Sequence, residues 1–218
     1  YNTLAQETIP ADLYKSSSIP DSLKLNANSV VRYSSDAVIV KSAGRVTTKH
    51  HSLITILNEK AESEAMILLH YDRKFSSVNK AEMLVYGADG SLIKKYRKSD
   101  MYDRSAVDGM SVITDSRIMV VQHTVSSYPI TIESIYELGQ NSYLDLDNWD
   151  IQAPEQAVQF ATYTISINPA LGFRYKNRNT LLTPSKTSDN LASYTWEAKN
   201  LKGIKIEEDV PAWRVLPR

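Results

Sequence analysis

The chain has 218 residues and contains no cysteine, which excludes disulfides, thiolate metal sites and a cysteine nucleophile. Lys plus Arg and Asp plus Glu number 25 each and are interspersed, so no basic stripe of the kind that binds nucleic acid is present. No apolar run approaches the roughly 20 residues that span a bilayer, so we expect no membrane span.

The first 28 residues differ in composition from those that follow. They are polar and contain Pro10, Pro20 and a run of serines, which predicts an N-terminal arm (residues 1–28) with one short helix near residues 21–26. Residues 29–218 are rich in Val, Ile, Tyr and Thr, in short runs separated by turn residues. This composition predicts a β-rich domain, in one body or in two lobes.

The strand pattern recurs along that domain at regular intervals. The predicted strands are residues 30–42, 45–57, 65–71, 78–86, 92–97, 117–125, 130–137, 157–167, 173–176, 194–198 and 204–207. Residues 81, 83 and 85 alternate with their neighbours, as do residues 130–135, which is typical of a sheet with one packed and one wet face. Asp89-Gly90 predicts a hairpin turn, and Ser99 is a candidate cap for a short helix over residues 99–107.

No alternation of strands with helices is visible, so the usual pattern of a parallel sheet is missing. The sequence therefore predicts a mainly β fold. We expect an antiparallel β-sandwich or a large curved antiparallel sheet with few short helices.

Four histidines are candidate bases or metal ligands: His50, His51, His70 and His123. Two of them are adjacent on a predicted strand, so they point to opposite faces, and no spacing brings together the three or four ligands that zinc needs. We interpret all four as surface or edge-strand residues. No serine lies in a Gly-x-Ser-x-Gly elbow, and the seven glycines are too dispersed for a phosphate-binding loop.

Two acidic stretches resemble cation sites. The first consists of Asp145, Asp147, Asn148 and Asp150. It begins like a calcium loop but lacks the glycine of the sharp turn and the acidic residue at the twelfth position. The second consists of Asp100, Asp103 and Asp108, irregularly spaced around Gly109. Because Asp and Asn more often close turns, we assign no catalytic or metal site and expect no cofactor.

Thirteen Tyr and three Trp residues make the chain rich in large amphipathic rings. Such rings stack on sugars or anchor a partner protein, and they equally fill and edge β-sheets. Trp149, Trp196 and Trp213 fall near predicted turns or chain ends, where an aromatic ring closes the end of a sandwich. Packing is the expected role of each, with binding as the alternative.

Several motifs follow one another in a characteristic order. They are Tyr-Gly-Ala-Asp-Gly-Ser at 86–91, residues 100–103 and 114–117, Tyr-Pro-Ile-Thr-Ile-Glu at 128–133 with Tyr136, Trp-Asp-Ile-Gln-Ala-Pro at 149–154, and the segment 194–211. Over about residues 30–211 this order resembles the bacterial family called domain of unknown function 3857. Thr131 and Ser134 depart from it, since a glycine or more apolar residues are expected there.

The resemblance implies an exported protein, periplasmic or on the cell surface, from which a signal peptide has been removed. Such domains are typical of the Bacteroides group and commonly precede a transglutaminase-like, papain-fold domain, the expected partner in the same chain. The implied function is a non-catalytic accessory domain that positions that domain or binds peptide or glycan. A purely structural spacer is one alternative, and a stand-alone hydrolase using paired carboxylates is another. The resemblance carries no functional residue with it.

Overall fold

The computed structural model describes residues 8–106, 115–142, 146, 148–188, 190–205 and 216–217. The strands are β1 (Ser29–Ser42), β2 (Arg45–Ile56), β3 (Met66–Asp72), β4 (Ser76–Tyr86), β5 (Leu92–Arg97), β6 (Tyr102–Ser105), β7 (Ser116–Gln122), β8 (Ile130–Gln140), β9 (Gln156–Ile167), β10 (Ser185–Ser188) and β11 (Ala192–Leu201). The single described α-helix is α1 (Asp21–Lys24), and short 3₁₀ turns occupy Ala11–Tyr14, Ser16–Ser18, Glu59–Ala65, Lys98–Asp100 and Pro169–Leu171.

Two sheets contain all of these strands. The large sheet has the order β10-β11-β9-β1-β2-β8-β4-β5, and the small sheet has the order β3-β7-β6. The predicted mainly β fold is confirmed. One neighbouring pair, β1 and β9, is parallel, so the large sheet is mixed. The sequence did not indicate this pair, because alternation within a strand reports which faces are buried and not the direction of its neighbour.

Most strand predictions are confirmed to within a few residues at either end, and four segments differ. Residues 173–176 form no strand, because Phe173 packs into an aromatic cluster instead of pairing. The predicted helix over 99–107 is wrong in its described part, where a 3₁₀ turn leads into β6. The exposed strands β6 and β10 were not predicted, since they show no apolar alternation. Residues 204–205 form no strand, and 206–207 lie outside the described residues.

The small sheet packs on one face of the large sheet, which we call the front face. Ala81, Met83 and Val85 are buried there, as their alternation predicted, and they pack with Ile67 and Met119 of the small sheet. This half of the molecule is therefore a two-layer sandwich, whose apolar side chains supply its stability.

The N-terminal arm covers the opposite face, which we call the back face. Ile19 and Leu23 pack against Val30 and Ala157. Leu23 is 1% exposed, and its burial alone contributes roughly 1.5–3 kcal/mol. The predicted helix near residues 21–26 is confirmed as α1. The arm lies over β8, and residues 130–133 are buried on both faces of the sheet. The prediction that one face of this segment is exposed to solvent is therefore wrong.

The helices of the described residues are all short. None of them is long and apolar enough to cross a membrane.

Candidate functional site

A row of side chains crosses the front face of the large sheet. Strand register sets Trp196 beside Tyr163, Tyr163 beside Asp36, Asp36 beside His50, and His50 beside Tyr136. Because residues in register point to the same face, five neighbouring strands contribute one side chain each to this transverse row. The row therefore depends on long-range pairing, and no local motif encodes it.

His50 is the polar centre of this row. Its Nδ1 lies 2.6 Å from Asp36 Oδ1, its Nε2 lies 2.9 Å from Ser52 Oγ, and its ring stacks on Tyr136 with centroids 4.5 Å apart. Asp36 also accepts a hydrogen bond of 3.3 Å from Ser34 Oγ. Both ring nitrogens of His50 therefore have a hydrogen-bond partner, Asp36 at Nδ1 and Ser52 at Nε2. The imidazole is thereby fixed in one orientation.

This order of contacts matches a Ser-His-Asp relay, but the surroundings of the serine do not suit acyl transfer. Ser52 is 3% exposed and lies within a central strand, where its backbone pairs with β1 and β8. An oxyanion hole needs free donors aimed beside the nucleophile, and the amides of this part of β2 belong to the two ladders. The arrangement suits orientation of a polar group better than nucleophilic attack.

An aromatic cavity of about 570 Å³ adjoins the row, within the size range of small-ligand sites. Trp149 and Tyr163 stack nearly parallel, with centroids 5.7 Å apart. Tyr175 meets Trp196 edge-on at 5.0 Å, and Phe173 packs beside both. Offset and edge-on rings present both faces and edges to a ligand, which suits stacking on a sugar or on a peptide side chain.

The walls of the aromatic cavity carry charge of one sign. Arg174, Lys176 and Arg178 line it, and its described lining includes no Asp or Glu. All three side chains come from the segment that follows Gly172, whose positive φ of 70° turns the chain over the sheet.

Two further cavities continue along the front face. The central cavity, of about 310 Å³, and the inter-sheet cavity, of about 530 Å³, both include Trp149 in their walls, as the aromatic cavity does. Asp36 and Asp150 line both of them, Glu64 lines the inter-sheet cavity, and neither described lining contains Lys or Arg. Burial raises the pKa of Glu64, although a hydrogen bond from Gln156 opposes the shift. We call the three adjoining cavities the trough.

The described C-terminal residues reach the same surface. Leu216 is buried in the wall of the inter-sheet cavity. Its carbonyl accepts a hydrogen bond of 2.9 Å from Asn179 Nδ2, and Ile151 N–H donates to the Pro217 carbonyl at 3.3 Å. The chain at residues 216–217 is therefore fixed beside the trough.

A second polar cluster lies on the back face, under the arm. Glu133 accepts hydrogen bonds from His51 Nε2 at 2.7 Å, from Tyr86 OH at 2.7 Å and from Tyr14 OH at 3.2 Å. Burial would raise the pKa of Glu133, but these hydrogen bonds outweigh it and the pKa lies below its usual range. Burial and the same carboxylate raise the pKa of Tyr14 to about 12 and raise that of Tyr86 as well.

Arg32 is fully buried next to this cluster. Its guanidinium donates to Gln159 Oε1 at 2.8 Å, to the Lys15 carbonyl at 3.0 Å and to Ser18 Oγ at 2.6 Å. Burial lowers its pKa to about 10. Two of its three acceptors belong to the arm, so the back-face polar groups hold the arm on the sheet and are not open to a ligand.

The four histidines do not converge. His50 and His51 point to opposite faces, as predicted, but they are half-buried on a central strand, so the surface or edge-strand interpretation is wrong for both. His70 is exposed on the edge strand β3, and His123 shares a hydrogen bond of 3.0 Å with Tyr96 OH. Within the described segments, no group of three or more His, Asp or Glu could hold a metal ion.

The acidic stretches and tryptophans separate into three groups. Asp145, Asp147, Asp108, Gly109 and Trp213 lie outside the described residues. Asp100 accepts from Arg97 N–H, and Asp103 forms an ion pair with Arg117, both ordinary structural roles. Asn148, Asp150, Trp149 and Trp196 line the trough.

Several trough residues were missed in the sequence, among them Asp36, Ser52, Tyr163 and Arg174. One signal was available for the first two. Polar residues at alternate positions of an otherwise apolar strand, as at 34 and 36 or at 50 and 52, indicate a shared polar face.

Comparison with protein families gives one match. Residues 42–205 match DUF3857, described as a Domain of Unknown Function with solved-structure structure. No curated protein matches the sequence.

The chain is also similar to solved structures. A "putative protease" from Parabacteroides distasonis ATCC 8503 has a TM-score of 0.74 and 16% identity, over 87% of this chain and 39% of that chain. Legionella pneumophila aminopeptidase A, in complex with aspartic acid, has a TM-score of 0.40 and 12% identity, over 87% of this chain and 21% of that chain. The chain thus spans well under half the length of either protein, and the first likeness supports the fold alone.

Proposed function

This chain belongs to the DUF3857 family, and we propose that it is a non-catalytic accessory domain of a larger exported protein. In this proposal the trough binds an extended peptide or glycan and holds it beside the domain that follows in the chain. The resemblance described above names a transglutaminase-like domain as that neighbour.

The aromatic cavity is the observation that carries the binding role. Rings from two strands and from two loops converge there, with Trp149, Tyr163, Tyr175 and Trp196 around about 570 Å³ of space. Tyr175 is 49% exposed, so part of its ring is accessible to a ligand. Such rings bind sugar faces and peptide side chains through stacking and apolar burial.

The position of the C-terminal residues supports the accessory role. Leu216 lies in the trough wall, so this part of the chain passes next to a bound ligand. The fold occupies 39% of the similar Parabacteroides chain, as expected of one domain in a larger protein. A ligand held in the trough has a high effective concentration for another domain of the same chain.

Isothermal titration calorimetry with panels of peptides and oligosaccharides tests the binding role. We expect Tyr175→Ala to weaken the best ligand at least about tenfold, the usual effect of losing a stacked ring. The matched control is Tyr102→Ala, because Tyr102 is 64% exposed on β6, away from the trough. The proposal is contradicted if no member of the panels binds, or if Tyr175→Ala and Tyr102→Ala weaken binding equally.

A stand-alone hydrolase is the second candidate. The sequence suggested one that uses paired carboxylates, whereas the observation that favours hydrolysis is a different one, the contacts from Asp36 through His50 to Ser52. The burial of Ser52 and the paired amides around it weigh against this activity. A purely structural spacer is the remaining alternative, and it is favoured if no peptide or oligosaccharide binds to the trough.

A further inference from the structure

The trough changes the sign of its charge at Trp149. On one side, Arg174, Lys176 and Arg178 line the aromatic cavity, and no acidic residue belongs to its described walls. On the other side, Asp36 and Asp150 line the central cavity together with His50, and its described walls include no Lys or Arg. Trp149 lies in the walls of both, so a ligand that spans the two cavities passes from a cationic to an anionic surface.

The anionic side owes its charge mainly to two carboxylates. Glu64 lines the inter-sheet cavity but not the central cavity, and Gln156 donates a hydrogen bond to one of its oxygens. Asp36 Oδ1 contacts His50 and Asp36 Oδ2 accepts from Ser34 Oγ, and each of the two oxygens has a further lone pair for another donor. Asp150 lines both cavities on this side.

We propose that the ligand of the trough is a short peptide with a free amino end and a free carboxyl end. The carboxylate lies in the aromatic cavity beside Arg174 and Lys176, and the ammonium group lies in the central cavity near Asp36 and Asp150. An apolar side chain of the peptide stacks against Trp149 between them. This inference deepens the proposed function and rests on it.

A peptide fits this division of charge better than a saccharide. A neutral sugar forms no ion pair with either the cationic or the anionic cavity. An acidic sugar carries only negative charge, so it can pair with the cationic cavity but not with the anionic one. A short peptide carries opposite charges at its two ends in a fixed order. Charge-assisted hydrogen bonds at both ends add to the stacking in the middle and set the direction of binding.

Calorimetric titration with the pentapeptide Ala-Ala-Phe-Ala-Ala tests the inference in four forms: free, N-acetylated, C-amidated and blocked at both ends. We expect each block to weaken binding about tenfold, the effect of one lost charge-assisted interaction. In Arg174→Ala/Lys176→Ala, C-amidation of the peptide no longer weakens binding, whereas N-acetylation still does. In Asp150→Asn, N-acetylation no longer weakens binding, whereas C-amidation still does. The control Lys41→Ala/Arg104→Ala removes two exposed cations outside the trough lining and retains both sensitivities.

The outcomes separate this inference from the proposed function. Equal binding of all four forms overturns the inference and leaves a peptide-binding trough. Tighter binding of a hexuronic acid oligosaccharide than of the free peptide overturns it in favour of a glycan site. If neither the pentapeptide nor any member of the two panels binds, both the inference and the proposed function fail.

Discussion

His50 lies directly opposite Asp36 on the neighbouring strand, and its Nδ1 is 2.6 Å from the Asp36 carboxylate. Ser52, two residues along the same strand, accompanies His50 on the same face, and its hydroxyl lies 2.9 Å from Nε2. The relay is thus built from strand register alone, without a turn that would expose the serine. Strand pairing aligns these three side chains, but it also uses the backbone amides of β2, so none of them is left to stabilise an oxyanion.

The first prediction concerns catalysis by this relay. We expect a fluorophosphonate reagent to leave Ser52 unlabelled, because the hydroxyl is buried and lacks an oxyanion hole. Intact-mass spectrometry measures the adduct, with Ser52→Ala as the blank. Stoichiometric labelling of the natural protein that disappears in both Ser52→Ala and His50→Ala establishes a hydrolase and removes the non-catalytic interpretation.

The second prediction concerns Glu133 and acid stability. Glu133→Gln lowers the free energy of unfolding at pH 7 by about 1–3 kcal/mol, because an amide cannot accept all three hydrogen bonds that the carboxylate accepts. The pKa of Glu133 is lowered in the folded state, so its contribution is complete above the ordinary value near 4.3 and is lost as pH falls through the folded value.

Urea unfolding between pH 3 and pH 8 therefore shows a difference between the natural protein and Glu133→Gln that is constant above about pH 5 and shrinks below it. Tyr14→Phe removes only the longest of the three hydrogen bonds, at 3.2 Å, and serves as the milder comparison. A difference that grows on acidification contradicts the lowered pKa.

The sequence predicted the strands well because burial alternates along each of them. Ala81, Met83 and Val85 show this for β4, where one face packs under the small sheet. The trough was beyond such reasoning. Asp36 and His50 meet across the hairpin of β1 and β2, and Tyr163 joins them from β9, which is distant in the sequence. A single sequence contains no direct record of register.

The third prediction concerns Arg32 and the arm. Arg32→Met lowers the free energy of unfolding by about 2–4 kcal/mol, since it leaves buried acceptors on Gln159, Lys15 and Ser18 without their donor. The pKa of about 10 keeps the guanidinium charged at neutral pH, so the loss is the same at pH 6 and pH 8.

Hydrogen exchange locates this effect. Amides of residues 11–24 exchange faster in Arg32→Met than in the natural protein, whereas those of β7 and β3 keep their protection. Arg104→Met, at an exposed arginine of β6, is the control and changes neither region. Uniform loss of protection across both sheets contradicts a specific role of Arg32 in holding the arm.

The fourth prediction concerns a close approach of two backbones. A Cβ atom added to Gly203 would lie 2.8 Å from the backbone carbon of Asn26 and 3.2 Å from Ala27 Cα. Gly203→Ala therefore lowers the free energy of unfolding by about 1–3 kcal/mol through overpacking. Gly44→Ala is the matched control, because a Cβ atom added there would lie 3.6 Å from its nearest neighbour, the Asn141 carbonyl oxygen. Equal denaturation midpoints for the two variants contradict the close contact.

The back face explains why the arm prediction was incomplete. Pro20 and the residues after it indicated a short helix, and α1 begins at Asp21. Nothing in the arm indicated that Tyr14 reaches Glu133, 119 residues further along the chain. The attachment of the arm depends on apolar contacts such as those of Ile19 and Leu23, and also on buried polar groups whose partners only the fold brings together.

The last prediction concerns a buried hydroxyl pair. Thr55 and Thr131 face each other on β2 and β8, both fully buried, with their Oγ1 atoms 2.9 Å apart. Thr131 is also one of the two residues that depart from the family pattern. Thr55→Val keeps the shape but leaves the other hydroxyl without this partner, so it lowers the free energy of unfolding by about 1–2 kcal/mol, as Thr131→Val does. The double variant removes both polar groups together and returns close to the natural stability. A double-mutant cycle by urea unfolding measures the coupling, and strictly additive losses would show that the two hydroxyls do not depend on each other.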